Sequence, residues 1–262
     1  MRGLNWTSIK LTEIDPHISM LSFNRPEKRN ASSVAMKMEL EECLAELKKN
    51  EKLRVLVLTG EGKAFCTGAD LKERSTLSGE EVTSSRHRTL RIIEILSSFP
   101  VPVIAMVNGY AMAGGFEYAL ACDIRVSSDQ AIYSLPEVNT AGAFPGAGGP
   151  VRLAKMVGRG RANLIVLTGR RFSAEEAFTL GFVEVVVPHE DLLARTLELA
   201  RQIGANNPAG IKAVKHLILK CVDLDLHAGM DLSNALREPM DGTSVAVEGV
   251  QAWLEKRKPS FS

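Results

Sequence analysis

Two glutamates lie in segments that suit proton chemistry. Glu117 follows Gly114-Gly115-Phe116 within a stretch of small and apolar residues, and Glu137 follows Pro136 after a short β-like run. A carboxylate in a buried helix is costly unless it has partners or a task. The alternatives are a glutamate that only offsets the helix dipole at position 117 and a solvated loop glutamate at position 137. Neither residue is decisive alone.

Two glycine-containing turns could supply backbone N–H donors beside these carboxylates. Gly68 follows a predicted strand and allows a positive φ, so that the amide of Ala69 can point into a cavity. Gly114 stands at the start of a predicted helix, where N–H groups are free and the dipole is positive. Such amides stabilise developing negative charge. An ordinary strand-to-helix turn remains the alternative at Gly68.

The elements that would position these residues alternate short apolar strands with helices, which is typical of an α/β fold. The pattern predicts a hairpin from 8–14 and 17–23, helices at 33–49, 83–98 and 114–122, and strands at 53–59, 101–107, 123–127 and 183–187. Ser173 and Glu176 form a predicted capping box on a helix that Gly181 closes. The polar stretch 72–88 is predicted to be a mobile loop.

Length favours one large domain, or a core domain with a helical appendage, because single cores stop growing near roughly 250–300 residues. Of the 262 residues, we expect 1–200 to form the core and 201–262 a helical segment that packs on the core or on a neighbouring subunit. Apolar positions without strand partners in that last segment favour an oligomer.

Composition argues against several classes of protein. The formal net charge of +1 supplies no field that would attract a nucleic acid or an anionic membrane. The sequence has neither an apolar run of about 20 residues nor a secretion signal, which predicts a cytoplasmic protein. Four cysteines without C-x-x-C spacing and five dispersed histidines predict no metal site.

The order of the motifs resembles the crotonase (enoyl-CoA hydratase/isomerase) family from about residue 6 to residue 261. The matching segments are 24–31, 64–72, 109–117, 136–137, 145–149 and 173–188. The resemblance implies a crotonase-like spiral of repeated ββα units with a C-terminal helical trimerisation region. It also implies a homotrimer or a dimer of trimers that handles acyl-CoA thioesters.

The resemblance assigns roles to individual positions. The amides of Ala69 and Gly114 would form the oxyanion hole, and Glu117 and Glu137 would be the two catalytic glutamates. Coenzyme A is part of the substrate, so that no separate cofactor is expected. The implied substrate-binding residues are Lys28, Arg29, Ala31, Thr67, Asp70, Leu71, Lys72, Tyr110, Met112, Gly115, Pro136, Phe144 and Lys256.

The expected activity is reversible hydration of the 2,3 double bond of an enoyl-CoA, in fatty acid metabolism such as β-oxidation. A Δ3,Δ2-enoyl-CoA isomerase, which in this family needs only the glutamate at position 137, and another crotonase-like lyase are the enzymatic alternatives. The alternatives that are not enzymes are a non-catalytic acyl-CoA binder and an RNA-binding protein. An RNA-binding member would need a lysine-rich helix, whereas the predicted helix at 33–50 mixes acidic and basic residues evenly. Cys66 suggests a nucleophile, but a small buried thiol is favoured.

Departures from the family pattern concern the acyl group. Ala113 stands where a glycine is common, Pro150 replaces a polar residue, and Phe116 and Tyr118 place large rings on either side of Glu117. We expect these residues to lie near the acyl pocket, where they would affect the length and shape of the acyl chain.

Overall fold

A computed structural model of the protein describes residues 6–261. The described strands are β1 Ile9–Asp15, β2 Ile18–Phe23, β3 Val55–Gly60, β4 Ala64–Cys66, β5 Val103–Val107, β6 Tyr110–Met112, β7 Ile124–Ser128, β8 Ile132–Ser134, β9 Phe172–Ser173 and β10 Val185–Val187. The helices are α1 Val34–Leu47, α2 Leu71–Arg74, α3 Gly79–Ser97, α4 Gly114–Ala121, α5 Glu137–Thr140, α6 Gly149–Thr168, α7 Ala174–Leu180, α8 Leu192–Gly204, α9 Pro208–Cys221, α10 Leu226–Arg237 and α11 Ser244–Leu254.

The strands form two sheets. The larger sheet has the order β1-β2-β3-β5-β7-β10, and the smaller sheet has the order β4-β6-β8-β9. The hairpin β1-β2 is antiparallel, and the rest of the larger sheet is parallel. A long strand in the larger sheet, a short strand in the smaller sheet and a helix follow one another three times, beginning at β3, β5 and β7. These are the repeated ββα units that the resemblance implied.

The central strand β3 joins two apolar layers. All six of its residues are buried, and their side chains alternate between the faces of the sheet. Leu56 and Leu58 belong to the main core with α1, α3 and α4, whereas Val55 and Val57 pack in a second cluster with α8. The parallel sheet is therefore covered on both faces, which explains the continuously apolar sequence of β3.

The predicted helices and the strands of the larger sheet are confirmed, with bounds shifted by a few residues. The capping box of Ser173 and Glu176 is confirmed, and Gly181 closes α7 in the left-handed conformation. The prediction of a mobile loop at 72–88 is wrong, because this stretch contains α2 and the first half of α3. A second capping box, formed by Ser78 and Glu81, starts α3. The buried residues of α3 all lie in its last turns.

The C-terminal helices expose apolar side chains. No residue of α9 or α10 is buried, and Ala252 is the one buried residue of α11. The exposed apolar residues of this segment are Val214, Ile218, Leu219, Val222, Leu224, Leu226, Met230, Val247, Val250, Trp253 and Leu254. Helix α8 runs through the predicted domain boundary at residue 200, which stays a prediction. No helix in the described part is long and apolar enough to cross a membrane.

We predict that Gly115→Ala destabilises the fold strongly. A Cβ at Gly115 would stand 2.0 Å from the backbone oxygen of Cys66, so that α4 and β4 would have to separate. The expected loss is about 3 kcal/mol or more in the free energy of unfolding, measured by urea denaturation. Gly160→Ala is the control, because nothing lies within 4 Å of its added methyl group in α6. It should stay within about 1 kcal/mol of the wild type. Equal effects would contradict this packing argument.

Candidate active site

A cavity of about 270 Å³ is lined by the segment that follows β4, by the starts of α1 and α4, by helices α2 and α3, and by the segment 136–147. All four predicted catalytic residues line it, namely Ala69, Gly114, Glu117 and Glu137. They come from three successive ββα units, so that the sheet order brings together positions far apart in the sequence.

The amides of Ala69 and Gly114 lie on adjacent segments at the edge of this cavity. Gly68 has φ 86°, and a Cβ on it would stand 3.1 Å from the nitrogen of Gly114. The carbonyl of Gly68 accepts a 2.7 Å hydrogen bond from the amide of Ser32, which fixes this turn against the start of α1. Within residues 6–261, neither Ala69 N nor Gly114 N donates to a protein acceptor. Two free N–H donors are thus available at the cavity.

The residue before Gly114 has an unusual backbone conformation. Ala113 has φ 51° and ψ −133°, a region that L-residues rarely adopt and that typically costs about 1–3 kcal/mol. Its amide donates to the carbonyl of Ser134 at 2.9 Å, and its carbonyl accepts from the amide of Glu117 at 3.1 Å. These bonds hold the sharp turn from β6 into α4, at which the first amide of the helix meets the cavity.

Glu117 is a buried carboxylate held by a loop. Its side chain lies in the first turn of α4, and the residue is 3% exposed. Its Oε1 accepts hydrogen bonds from the amides of Ala147 and Gly149, each at 2.8 Å. Burial raises the pKa of Glu117, while the two amides and the charge of Arg152 oppose that rise. The glycine-rich segment 145–149 therefore orients a carboxylate, a role that its sequence did not reveal.

Arg152 supports this loop from behind. Its guanidinium donates to the carbonyl of Ala147 at 3.3 Å and to the hydroxyl of Ser97 at 2.9 Å. It thereby connects α6 to α3 on the far side of the loop that holds Glu117. No sequence motif pointed to this residue, because its partners are a backbone carbonyl and a serine distant in the sequence.

Glu137 has a different environment from Glu117. It begins the short helix α5 and is half-buried, and its Oε2 is buried without a hydrogen-bond partner among the described residues. Burial raises the pKa of Glu137 to about 7, and the negative charge of Glu117 adds to this rise. One carboxyl group is fixed by two amide donors and the other is not, which separates their environments as paired acid and base groups require.

Five of the substrate-binding residues implied by the resemblance also line the cavity. Asp70 caps α2 and forms an ion pair with Arg25 at 3.1 Å, while Phe144 is 71% exposed and so stands at the mouth. The five are Thr67, Asp70, Leu71, Pro136 and Phe144.

Eight implied residues do not line the cavity. Arg29 lies just outside, where its carbonyl accepts from the Thr67 hydroxyl at 3.1 Å and its guanidinium stands 5.7 Å from the ring centre of Tyr110. Gly115 packs against Cys66 rather than facing the cavity. The eight are Lys28, Arg29, Ala31, Lys72, Tyr110, Met112, Gly115 and Lys256.

Lys256 is remote from the cavity of its own chain. It follows α11, and the nearby carbonyl of Phe261 accepts from the guanidinium of Arg54 just before β3. The cavity instead adjoins the segment after the other end of β3. A role for Lys256 at this site would therefore require a neighbouring subunit.

The structure revises the expectation for Phe116 and supports those for Tyr118 and Cys66. Phe116 does not face the acyl pocket, because its ring packs against Tyr133 and Phe182, each at 5.2 Å. Tyr118 does line the cavity. Cys66 is buried, and burial raises the pKa of its thiol to about 12, which fits an inert core thiol.

The sequence interpretation missed a group of polar side chains that line the cavity. These come from the start of α1 and from α3, and they are Ser32, Lys37, Ser85 and Thr89. Lys37 is 5% exposed and follows the core residue Met36. A lysine within the apolar stripe of α1 was the available signal, since helical spacing places it next to buried positions.

Comparison with known proteins identifies the family. A sequence model described as enoyl-CoA hydratase/isomerase matches residues 13–262. The chain belongs to the enoyl-CoA hydratase/isomerase family. YngF of Bacillus subtilis is 41% identical over 97% of this chain and 98% of its own length. The human enoyl-CoA hydratase domain-containing protein 2, mitochondrial, is 36% identical over 94% of this chain and 86% of its own.

Solved structures agree with this assignment. The crystal structure of an enoyl-CoA hydratase from Bacillus anthracis superimposes with a TM-score of 0.94 at 39% identity, covering 97% of this chain and 98% of that one. A Geobacillus kaustophilus enoyl-CoA hydratase subunit gives 0.90 at 38% identity, with the same coverage. The crotonase-like α/β fold expected from the sequence is confirmed.

We predict that Glu137 makes the stability of the protein depend on pH. Its pKa of about 7 in the folded state lies above the ordinary value of 4.5, so the folded state binds the proton more tightly than the unfolded state. This contribution is fully present below about pH 4.5 and is lost as the pH rises through about 7. The free energy of unfolding of the wild type should therefore fall over this range relative to that of Glu137→Gln.

Urea denaturation from pH 4.5 to 8 measures this difference. Glu51→Gln, which changes an exposed glutamate, is the control and should follow the wild type. A difference between wild type and Glu137→Gln that is flat with pH, or that changes in the opposite direction, would contradict the raised pKa.

Proposed function

We propose that this protein is an enoyl-CoA hydratase, which adds water reversibly across the 2,3 double bond of an enoyl-CoA thioester. The observation that carries the proposal is the meeting of two free amides, Ala69 N and Gly114 N, with two carboxyl groups, Glu117 and Glu137, at one cavity. The pair of amides suits the charge that develops on the thioester oxygen, and the pair of carboxyl groups suits the proton transfers. Family membership supports an acyl-CoA substrate.

The amides suit the charge that develops on the thioester oxygen. Addition of water at C3 moves the electrons of the double bond toward the carbonyl, and the oxygen of the resulting enolate becomes negative. Donors that are fixed before the reaction stabilise this charge without reorganisation, and each is typically worth about 3 kcal/mol. The turn at Gly68 and the strained turn at Ala113 would supply that fixed geometry.

The carboxyl groups suit the two proton transfers. We assign the base to Glu117, because the amides of Ala147 and Gly149 favour its ionised form. It removes a proton from water while the oxygen of the water bonds to C3. We assign the acid to Glu137, whose pKa of about 7 keeps much of it protonated near neutral pH, and it donates its proton to C2. Proton exchange with solvent then restores both groups.

A Δ3,Δ2-enoyl-CoA isomerase is the second candidate. A single group with a pKa near neutrality can take a proton from one carbon and return it to another, and Glu137 has this property. The isomerase reaction would not need Glu117. The two backbone amides that donate hydrogen bonds to Glu117 hold this carboxylate at the cavity, and a carboxylate held there favours the hydratase.

The remaining features of the proposal concern binding and assembly. The exposed Lys28, Arg29 and Lys72 surround the Thr67–Asp70 side of the cavity and would bind the coenzyme A portion by charge, with no further cofactor. The exposed apolar face of α9 to α11 suits a homotrimer or a dimer of trimers, in which Lys256 would reach a neighbouring subunit's site. A cytoplasmic place in fatty acid β-oxidation completes the proposal.

We predict that the protein converts crotonyl-CoA into a product heavier by one water, as measured by mass spectrometry. Both Glu117→Gln and Glu137→Gln should lower turnover at least ~10²-fold, because each removes one of the two proton transfers. Glu51→Gln, a change of the same type on the surface, should keep wild-type activity.

A 3-enoyl-CoA substrate separates the two candidates. Hydration of crotonyl-CoA by the wild type, with loss of this activity in both Glu117→Gln and Glu137→Gln, supports the hydratase. Conversion of the 3-enoyl to the 2-enoyl isomer that survives Glu117→Gln, without any mass gain on crotonyl-CoA, would establish the isomerase instead. Binding of acyl-CoA without turnover of any substrate would contradict both enzymatic candidates.

A further inference from the structure

The cavity has one wall of buried and half-buried polar groups for which the proposed hydration has no use. This polar wall consists of Ser32, Lys37, Ser85, Thr89 and Tyr118, contributed by the start of α1, by α3 and by α4. Lys37 is 5% exposed, Ser32 is 3% exposed and Tyr118 is 1% exposed. Polar groups at such burial are normally satisfied by hydrogen bonds.

Lys37 is a buried lysine without an ion-pair partner among the described residues. Its Nζ donates to the hydroxyl of Ser85 at 2.8 Å and more weakly to the carbonyl of Ser85 at 3.5 Å. Within residues 6–261, no carboxylate oxygen lies within 4.0 Å of this nitrogen. An ammonium group has three donors, so one of them has no protein acceptor. Burial lowers the pKa of Lys37, as expected for a charge removed from water.

The charged side chains around Lys37 form no ion pair with it. Glu73 also lines the cavity, and its negative charge favours the ammonium form of Lys37, but its Oε2 accepts from the amide of Val34 at 3.0 Å. Arg74 and Arg88 add positive charge on the same side, and Arg88 is itself paired with Glu41. Arg74 and Arg86 also line the cavity. Apart from Glu73, Glu117 and Glu137, the acidic residue in the lining is Asp70, which is paired with Arg25.

Two hydroxyl groups on the polar wall also lack a well-formed hydrogen bond. The Oη of Tyr118 and the Oγ of Ser32 are buried, and neither has a described partner at hydrogen-bond distance and angle. Burial raises the pKa of Tyr118, and the Ser32 and Thr89 hydroxyls lie close enough to oppose that rise, so these groups form one cluster. Lys37 thus offers an unused donor to the cavity, and the two hydroxyls can join it when their side chains turn toward an incoming acceptor.

The position of the polar wall indicates which part of a substrate would meet it. With the thioester oxygen at the amides of Ala69 and Gly114, C2 and C3 lie beside Glu117 and Glu137. The wall reaches the turn at Ala69, since the amide of Ser32 donates to the carbonyl of Gly68, and its residues line the same cavity as Glu117 and Glu137. In this binding mode, atoms of the acyl chain beyond C3 would occupy the part of the cavity that Lys37 lines. A hydrocarbon chain there would leave the buried ammonium and hydroxyls unsatisfied.

We propose that the polar wall binds a carboxylate carried at the far end of the acyl chain, so that the preferred substrate is the monothioester of a short unsaturated dicarboxylic acid. A carboxylate neutralises Lys37 and accepts from the hydroxyls of Tyr118 and Ser32, whereas an alcohol would satisfy hydrogen bonds but leave the charge. The catalytic part of this inference depends on the proposed hydratase activity. The binding part does not.

Competition between unreactive thioesters tests the binding part. Glutaryl-CoA and pentanoyl-CoA have five-carbon acyl chains that differ in a terminal carboxylate. Isothermal titration should show that the wild type binds glutaryl-CoA at least ~10-fold more tightly, as expected for a charged hydrogen bond. Lys37→Met should remove most of this preference, and Lys37→Arg should retain part of it. Tyr118→Phe should reduce it several-fold.

The matched control is Lys49→Met. This change removes a lysine at the end of the same helix, but its side chain is 70% exposed and pairs with Glu46 away from the cavity. It should leave the ratio of the two affinities at the wild-type value. Because Lys37→Met replaces a buried charge with an apolar group of similar length, the variant should fold, and thermal denaturation checks this.

Turnover of glutaconyl-CoA and pent-2-enoyl-CoA tests the catalytic part. The ratio of their kcat/KM values should favour glutaconyl-CoA in the wild type and fall at least ~10-fold in Lys37→Met. Tighter binding of glutaryl-CoA without turnover of either enoyl-CoA would contradict the hydratase but support the carboxylate site. Turnover without preference, or a preference that Lys37→Met leaves unchanged, would overturn the carboxylate site while the hydratase stands.

Discussion

The two hydrogen bonds to Oε1 of Glu117 are the interaction on which the site depends. They join a carboxylate on α4 to the amides of Ala147 and Gly149, which precede and begin α6. A buried carboxylate without such donors would bind a proton or leave the core, because burial strongly disfavours its charge. The loop therefore keeps Glu117 both inside the protein and ionisable. Arg152 then holds the loop to α3.

The same region requires close approach between backbones. Gly115 lets α4 pack directly against β4, and this contact sets the distance between the turn at Ala69 and the start of α4. The free amides of Ala69 and Gly114 come from these two segments, so their separation depends on main-chain packing rather than on side-chain rotamers. Such a frame leaves the surrounding side chains free to vary between proteins with the same fold.

Much of this arrangement was predictable from sequence because it follows from local patterns. The fully apolar run of β3 identified a buried strand, and Ser173 with Glu176 identified a helix start. The short strands β4 and β6 of the smaller sheet were missed because three residues carry no measurable period. The capping box of Ser78 and Glu81 was misread as a loop because the turns that follow it remain polar and solvent-exposed.

The predicted catalytic residues were found through their motifs, whereas Lys37 and Arg152 were not. Their partners are distant in sequence and include backbone carbonyls and serine hydroxyls, which leave no recognisable spacing. The role of the 145–149 loop escaped notice for a related reason, since it acts through amides that every residue except proline possesses.

Helix α3 is attached to the rest of the protein differently at its two ends. Its last turns bury Ile92, Ile93 and Leu96 in the core, whereas its first half meets α1 through polar contacts such as Lys37 with Ser85 and Arg88 with Glu41. Exchanging polar contacts opens no void in the core, so this side of the cavity can diverge at little expense to folding. The wall of the cavity and the frame that holds the amides and glutamates are thus separable in this architecture, and one can change without disturbing the other.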